Sequence, residues 1–319
     1  MNEVLAPGDG SLWLRSELKN AGHSDRDIAA LVAGGVLRRL RRGAYADAPA
    51  FDAADASGRH RLLARAAVKQ AKTRVIVSHT SAVPFHDGPI WRLPMNEVQL
   101  SRPDGRAGRA QAGIRQHQRL VQPDDVVIRH GLEVMSATRT ALEVTTCAST
   151  EVSLIVVNDF LHRRLTTVLD LQQRYAAMCH DPYTLKTDLV LRLADPRLES
   201  PAETRTWFMC YRHGVPAPTP QYQLRDEIGD LIARLDFAWP ELGVWLEVDG
   251  RQKYVKYLRE GESVVDVVLR EKERESMIAE ITGWRCIRIT WVDLADPEAT
   301  VARIIRLLGV TPRVPSVTR

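Results

Sequence analysis

The spacing of hydrophobic residues predicts two short helices and a β-hairpin at the start of the chain. Leu12, Leu14 and Leu18 predict a first amphipathic helix that ends near Gly22. A second helix is expected after Ser24, because serine is a favoured residue at the amino-terminal cap of a helix. The second helix places Ile28 and the apolar residues that follow it at the i, i+3, i+4 spacing of one buried face.

Arginines dominate the stretch that follows the second helix, VLRRLRRGAYAD, residues 36–47. Leucines interrupt the arginines, a glycine allows a tight turn, and Ala-Tyr-Ala can return as a strand. This pattern predicts an arginine-bearing β-hairpin. Two helices followed by such a hairpin are typical of a winged helix-turn-helix, in which the second helix enters the major groove of DNA and the wing contacts the backbone.

Five arginines become candidate DNA contacts in this layout. Arg26 would lie on the groove-facing helix, and the hairpin would present Arg38, Arg39, Arg41 and Arg42 to phosphates. The alternative is that the hairpin is only a solvated charged surface, which is the usual reason for a run of charges.

The stretch GHSDRDIAALVAGGVLRRLRRGAYAD, residues 22–47, resembles the amino-terminal winged helix of AbiEi-type antitoxins. The resemblance covers about the first 50 residues and implies a DNA-binding, autoregulatory module. The same module occurs on proteins with no known toxin partner. The resemblance therefore supports DNA as a partner more strongly than it supports a toxin.

The middle of the chain, residues 59–195, mixes helices with short strands. A Val-Ile-Val strand followed by a helix or turn is predicted in residues 74–91, and a pair of helices in residues 138–165. The histidines here lack the spacing of metal ligands and are interpreted as ordinary polar or core residues; they are His79, His86 and His117.

A basic stretch lies inside this middle region, at residues 101–119. It is interpreted as a loop along a nucleic-acid backbone or simply as a solvated loop. The middle region resembles that of uncharacterised actinobacterial proteins that carry the same winged helix. That resemblance implies only a linker or a DNA-clamping domain.

From residue 196 onwards the pattern predicts the order α-β-β-β-α-β-α. Ser200 and Pro201 open the first helix, LIARLDFAW and VWLEVDG form a strand pair joined by PELG, and a long helix ends at Gly283 before the strand WRCIRITW. A three-stranded meander with a fourth strand added after a crossover helix is the core of the PD-(D/E)XK nucleases.

The predicted fold is therefore an α/β multidomain chain of 319 residues in three parts. Residues 1–58 form a winged helix-turn-helix and residues 59–195 an α+β middle domain of unknown role. Residues 196–319 form a restriction-endonuclease-like αβββαβ core.

Three carboxylates interrupt the buried strands of this last part. Side chains alternate along a strand, so Glu247 and Asp249 share a face. An even turn centred within PELG places Asp236 directly opposite Glu247 and Arg234 opposite Asp249. Like charges directly opposed destabilise a sheet. A hard divalent cation, Mg2+ or Mn2+, would offset this cost, since Mg2+ takes oxygen ligands.

A second interpretation of the acids needs no metal. Arg234 would neutralise Asp249, and Asp236 would find Lys253 or Arg251. The acids would then belong to a structural ion network on a solvated sheet face.

The stretch DFAWPELGVWLEVDG resembles the core of Vsr-like endonucleases, the very-short-patch-repair type, and an uncharacterised bacterial family related to them. The resemblance covers roughly residues 198–309. It implies that Asp236 and Glu247 bind the metal, that Asp249 is an additional acid, and that Glu203 on the first helix assists.

One position departs from the general PD-(D/E)XK pattern. That pattern has a lysine two residues after Glu247, where this chain has Asp249. Lys253 is the candidate to meet the scissile phosphate in its place. The departure also allows that the activity is lost.

Composition narrows the setting without identifying the function. The net charge is only +4, so any nucleic-acid contact must come from local clusters rather than overall basicity. The four cysteines form no CxxC pair, which argues against a zinc cluster or a disulfide scaffold and fits a reducing cytoplasm. No apolar run approaches the length of a membrane span, so no membrane contact is expected.

The sequence therefore predicts a cytoplasmic DNA-binding protein with a Mg2+-dependent DNA endonuclease domain. In the predicted mechanism Asp236 and Glu247 hold Mg2+, a water attacks the phosphodiester, and Lys253 stabilises the developing charge. The alternative is a non-catalytic repressor or antitoxin that keeps a degenerate nuclease fold and has a toxin partner.

Overall fold

The computed structural model describes residues 12–106, 108, 110–118, 120–178, 184–249 and 264–311. The chain divides into two compact units, Met1–Ala194 and Asp195–Arg319. Helices are interspersed with three sheets in the described ranges, which confirms the mixed α/β class. The predicted boundary between residues 195 and 196 lies one residue from this division, whereas the one near residue 58 falls within a helix of the first unit.

The first unit opens with a three-stranded sheet and two helices. These elements are β1 (Leu12–Leu14), α1 (Arg15–Asn20), α2 (Asp25–Ala33), β2 (Leu37–Arg41) and β3 (Ala44–Asp47), with the strands in the order β1-β3-β2. The arginine-bearing hairpin is present as predicted, as β2 and β3. The helix start was wrong, because Leu12 and Leu14 lie on a strand that pairs with β3.

The ends of α2 follow local rules. The Asp27 N–H donates to Ser24 Oγ (3.2 Å), and the Ser24 N–H donates to Asp27 Oδ2 (2.7 Å), so the two residues cap the helix reciprocally. The helix ends before Gly34, and Gly35 takes a left-handed φ of 71°. Both predicted ends of this helix are confirmed.

The stretch after β3 is helical. It forms α3 (Ala48–Ala53) and the start of α4 (Ala56–Lys69). Ala66 of α4 packs with Leu12, and Lys69 Nζ lies 2.9 Å from a carboxylate oxygen of Glu17. Helix α4 is therefore part of the same packed structure as the first sheet.

In its described residues, the rest of the first unit contains a six-stranded sheet and four longer helices. The strands, with the short helix α5 (His79–Ala82) between the first two, are β4 (Ile76–Val77), β5 (Val98–Arg102), β6 (Ala110–Gln111), β7 (Ile114–Gln118), β8 (Val126–Arg129) and β9 (Leu132–Met135). The helices that follow are α6 (Ala137–Cys147), α7 (Thr150–His162), α8 (Val168–Ala176) and α9 (Thr187–Leu193). The predicted strand and helix pair are confirmed. The basic stretch contains β6 and β7 and is not simply a loop.

The second unit follows the predicted element order. Its elements are α10 (Pro201–Arg212), β10 (Thr219–Arg225), β11 (Leu231–Trp239), β12 (Val244–Asp249), α11 (Val264–Thr282), β13 (Arg285–Thr290) and α12 (Pro297–Leu308). The sheet order is β10-β11-β12-β13, antiparallel across the first three strands and parallel between β12 and β13. A parallel neighbour requires a crossover connection, which α11 supplies.

The turn between β11 and β12 sets the register of the candidate acids. It contains a 3-10 turn at Pro240–Leu242 and closes at Gly243, whose φ of 58° suits glycine. The pairs next to it are Trp239 with Val244, Ala238 with Trp245, and Phe237 with Leu246. These pairs confirm the predicted even turn centred within PELG.

Helices cover both faces of this sheet. On one face Phe237, Leu246 and Val248 pack in a core with residues of α10 and α12. On the other face Leu235 and Trp245 pack in a separate core with Ile278 of α11. The sheet is therefore buried on both sides, and a polar side chain on its central strands needs a specific explanation. Across the part of the chain that is described, no helix is long and apolar enough to span a membrane.

Candidate functional site

Asp236 lies where β11 and β12 stop pairing regularly. The last regular pair is Phe237 with Leu246, and beyond it the Val248 N–H donates to Asp236 Oδ2 at 2.8 Å. The half-buried Asp236 carboxylate therefore takes the place of a backbone acceptor from the neighbouring strand.

Glu203 is held beside Asp236 from the first turn of α10. Its side chain is almost completely buried and accepts three hydrogen bonds: from Ser200 Oγ (2.6 Å), from the Glu199 N–H (3.1 Å) and from Gln221 Nε2 (2.9 Å). Burial raises the pKa of Glu203, and the negative charge of Asp236 raises it further. The charge of Asp236, on β11, therefore acts on the buried carboxylate of Glu203, on α10.

Glu247 and Asp249 have cationic partners instead. Glu247 Oε1 lies 3.4 Å from Arg274 Nη2, and Asp249 Oδ2 lies 3.3 Å from Arg288 Nη1. Arg288 Nη2 also contacts a carboxylate oxygen of Glu275 at 2.9 Å. These residues line a shallow depression between β12, β13 and α11, together with Trp245 and Ile278. The acids of β12 are thus largely compensated by arginines.

The interpretation without a metal predicts that Arg234 neutralises Asp249 and that Asp236 pairs with Lys253 or Arg251. Arg234 does not neutralise Asp249: its Nη1 lies 2.8 Å from Glu199 Oε1, because β11 directs it towards the segment before α10. Arg251 and Lys253 lie outside the described residues, so the role predicted for Lys253 stays a prediction. An ion network does form around Glu247 and Asp249, but through Arg274 and Arg288.

Carboxylate oxygens are present at the predicted metal site, but the described residues form no cluster of three or more ligands. Among the residues that the structure describes, no group of three or more His, Cys, Asp or Glu side chains is placed to hold a metal ion. Mg2+ keeps several waters and commonly uses only one or two carboxylates of the protein. The carboxylate oxygens of Asp236 and Glu203 therefore fit this cation by chemistry. The assignment of Asp236 and Glu247 as its ligands stays a prediction.

Sequence reasoning missed Gln221, which donates to Glu203. Its position carries a signal, because extending the strand register from β11 to β10 places it opposite Asp236. Arg274 and Arg288 were also missed. Their pairing with Glu247 and Asp249 depends on how α11 and β13 pack against β12, which no local pattern specifies.

The predicted DNA contacts separate into engaged and available arginines. Arg38 Nη2 contacts both carboxylate oxygens of Asp52, at 2.9 and 2.6 Å. Arg41 is half-buried, and its Nη2 donates to Ala112 O at 3.4 Å. These two arginines are already held by other parts of the first unit.

The remaining three arginines are exposed. Arg26 lies on α2, Arg39 on β2, and Arg42 in the turn between β2 and β3. None of them forms an ion pair within the described ranges of the chain. Arg39 and Arg42 are therefore the hairpin residues best placed to meet a phosphate.

The histidines of the middle region belong to a polar core. The ring of His79, fully buried, stacks on that of His117 with 3.7 Å between centroids, and its Nδ1 lies 3.3 Å from Glu143 Oε2. Glu143 Oε1 accepts from Arg139 Nε at 2.9 Å. His86 is also buried and its Nε2 contacts Met135 O at 2.8 Å. This arrangement supports the interpretation of these histidines as core residues.

Searches of protein-family models and of curated protein sequences find no match to this chain. The resemblances to AbiEi-type antitoxins and Vsr-like endonucleases stay predictions of the sequence. A fold does not by itself imply a function, so the function has to be argued from the chemistry of the site.

Proposed function

We propose that this protein binds DNA through its arginine hairpin, β2 and β3, and hydrolyses phosphodiester bonds at its second unit with Mg2+ or Mn2+. One observation carries the proposal: Glu203 and Asp236 come from different elements, hydrogen bonds fix each of them, and the charge of Asp236 acts on Glu203. Two neighbouring carboxylates cannot both ionise without cost unless a proton or a cation offsets the charge. A divalent cation offsets it while leaving both groups ionised.

The surroundings of the pair support a role in binding a cation. The backbone N–H of Val248 orients Asp236, and Ser200 and Gln221 orient Glu203, so neither carboxylate has to be ordered when a ligand arrives. Such hydrogen bonds to carboxylate ligands are typical of metal sites. When bound, Mg2+ would lower the pKa of a water and neutralise charge on the phosphate. Glu247 would join these ligands only if it left its ion pair with Arg274.

The first unit would supply affinity for DNA. Arg39 on β2 and Arg42 in the turn that follows are both exposed, and Arg26 lies on the preceding helix. Phosphate contacts by such side chains position a protein on DNA without specifying the sequence. The arginine hairpin therefore favours a backbone contact over base recognition.

A second candidate function is a non-catalytic repressor or antitoxin, with DNA and a toxin as partners. The ion pairs of Arg274 with Glu247 and of Arg288 with Asp249 favour it. If these arginines permanently satisfy the acids of β12, the depression beside them needs no cation. The protein would then act by occupying DNA rather than by cleaving it.

A cleavage assay on supercoiled plasmid separates the two candidates. The full chain is expected to nick or linearise the plasmid with Mg2+ or Mn2+, and Asp236→Asn is expected to abolish this. Asp230→Asn is the matched control, because Asp230 is an exposed aspartate directly before β11, the strand that carries Asp236. Cleavage that persists in Asp236→Asn would contradict the assigned site. A wild type that binds DNA but cleaves none with either metal would favour the repressor.

The salt dependence of DNA binding tests the arginine hairpin. Each phosphate contact contributes about 0.9 to the slope of log affinity against log salt, so Arg39→Ala with Arg42→Ala should flatten the slope by about 2. Arg38→Ala is the control, because Asp52 already neutralises Arg38, and its effect should be smaller. An unchanged slope in the double variant would mean that the hairpin does not contact the backbone.

A further inference from the structure

Gln221 has an unusual backbone conformation for a residue inside a strand. Its φ is +51°, in the left-handed region that residues other than glycine, asparagine and aspartate rarely adopt. Strained residues of this kind persist only where the surrounding structure determines them, and they concentrate at functional sites.

The strain coincides with a break in the sheet. Regular pairing between β10 and β11 skips Gln221 and Asp236 but holds on both sides of them. The flanking pairs are Pro220 with Phe237 and Tyr222 with Leu235. The irregular backbone of Gln221 therefore lies directly opposite the candidate acid.

Strand β11 also changes face at the same point. Residues two apart on a strand normally point to the same face. Leu235 packs in the core formed with α11, whereas Phe237 packs in the core formed with α10 and α12. Asp236 sits at this reversal, and its carboxylate reaches the Val248 N–H of the next strand. The break in the sheet is what frees Asp236 from both apolar cores.

Gln221 acts on the other acid through its side chain. Its Nε2 donates to Glu203 Oε2 at 2.9 Å. An amide donates a hydrogen bond without adding a charge, whereas lysine or arginine would neutralise the carboxylate and compete with a cation. A neutral donor at this place therefore orients Glu203 and leaves its negative charge available.

We propose that Gln221 is a positioning residue that couples the two carboxylates: its backbone breaks the sheet at Asp236, and its amide holds Glu203 beside it for a shared divalent cation. This inference rests on the proposed function and extends it to a residue outside the predicted site. Gln221 itself contacts the carboxylate and acts through it.

Two substitutions separate the amide from the backbone strain. Gln221→Met keeps the length of the side chain and removes the donor, while Gln221→Gly also relieves the left-handed conformation. Loss of a hydrogen-bonding partner of a metal ligand typically costs 10- to 100-fold in metal affinity. Both variants of the full chain are therefore expected to bind Mg2+ about 10-fold or more weakly in calorimetry. Gln223→Gly is the control, because Gln223 lies on the same strand and contacts Arg225 instead.

A second readout does not depend on metal. In the metal-free protein, loss of the hydrogen bond to the ionised carboxylate should raise the pKa of Glu203 above its wild-type value, measured by carbon-detected NMR of the carboxyl groups. A change in protein stability alone would not produce this shift. Gln223→Gly should leave it unmoved.

The outcomes distinguish the inference from the proposed function. If wild type binds Mg2+ and both Gln221 variants keep its affinity and its Glu203 titration, the positioning role is wrong and the proposed function stands. If wild type binds no Mg2+ or Mn2+, both are wrong. Weaker Mg2+ binding together with a raised Glu203 pKa, in either variant that folds, supports the positioning role.

Discussion

Each unit contains an arginine–glutamate pair, and the two pairs differ in their exposure to solvent. In the first unit Glu143 and the Arg139 side chain are almost completely inaccessible, and the nitrogen and oxygen that join them are 2.9 Å apart. In the second unit Glu247 and Arg274 are 3.4 Å apart, and Arg274 keeps 43% of its side-chain surface exposed. Both units therefore contain an arginine–glutamate pair, but only the second is open to solvent.

This difference shows which polar clusters need an explanation beyond folding. A buried charge must be paired, because an unpaired one is too costly to desolvate. Arg139 Nε and the backbone N–H of His79 donate to Glu143, so this buried carboxylate has hydrogen-bond partners within the protein. Glu203 and Asp236 instead have like charges, and the charge of Asp236 raises the pKa of Glu203.

The largest change in stability is expected when one partner of the buried Arg139–Glu143 pair is removed. Glu143→Ala should destabilise the first unit by about 3–5 kcal/mol, because removing one partner of a buried ion pair is strongly destabilising. The change is measured by urea unfolding, with hydrogen exchange of peptides from α6 as the probe of the first unit. Replacing both partners, with Arg139→Met and Glu143→Leu, should recover much of the loss. A double variant no more stable than Glu143→Ala would mean that the pair is not what holds this core.

Acid should weaken the first unit through His60. This residue is buried, its Nε2 lies 2.7 Å from Ser81 Oγ, and burial lowers its pKa to about 4 from 6.5. The unfolded chain therefore binds more protons between these values, so stability is complete above pH 6.5 and falls as the pH drops towards 4, by about 3 kcal/mol. His60→Asn should flatten this dependence in hydrogen exchange of α4. The control His162→Asn, at an exposed histidine, should retain it.

The smallest effect is expected at Arg274, the more exposed member of the pair in the second unit. Arg274→Ala should change the free energy of unfolding by less than about 1 kcal/mol, since exposed ion pairs contribute little. Urea denaturation at low and high salt measures it. A loss as large as that of Glu143→Ala would mean that the β12 acids are structural in the same sense as the buried pair, and would favour the repressor.

The sequence predicted those features that depend on residues close together in the chain. Ser24 caps α2 because its hydroxyl reaches an N–H three residues away. The turn within PELG brings Trp239 opposite Val244, and strand alternation then places the later residues of both strands. The element order of the second unit followed from the same short-range rules. These rules located the candidate acids and the arginine hairpin.

Tertiary structure alone decided how these residues are used. Leu14 lies four residues before Leu18, a helical spacing, yet Leu12 and Leu14 pair with β3 in a strand. Gln221 has a left-handed backbone, and the strand changes face at Asp236, where Leu235 packs in one core and Phe237 in the other. The arginines that meet Glu247 and Asp249 come from elements distant in the chain. Strand pairing, core packing and ion pairs between residues far apart in the chain outweigh local preferences. Local hydrophobic patterns do not predict such contacts.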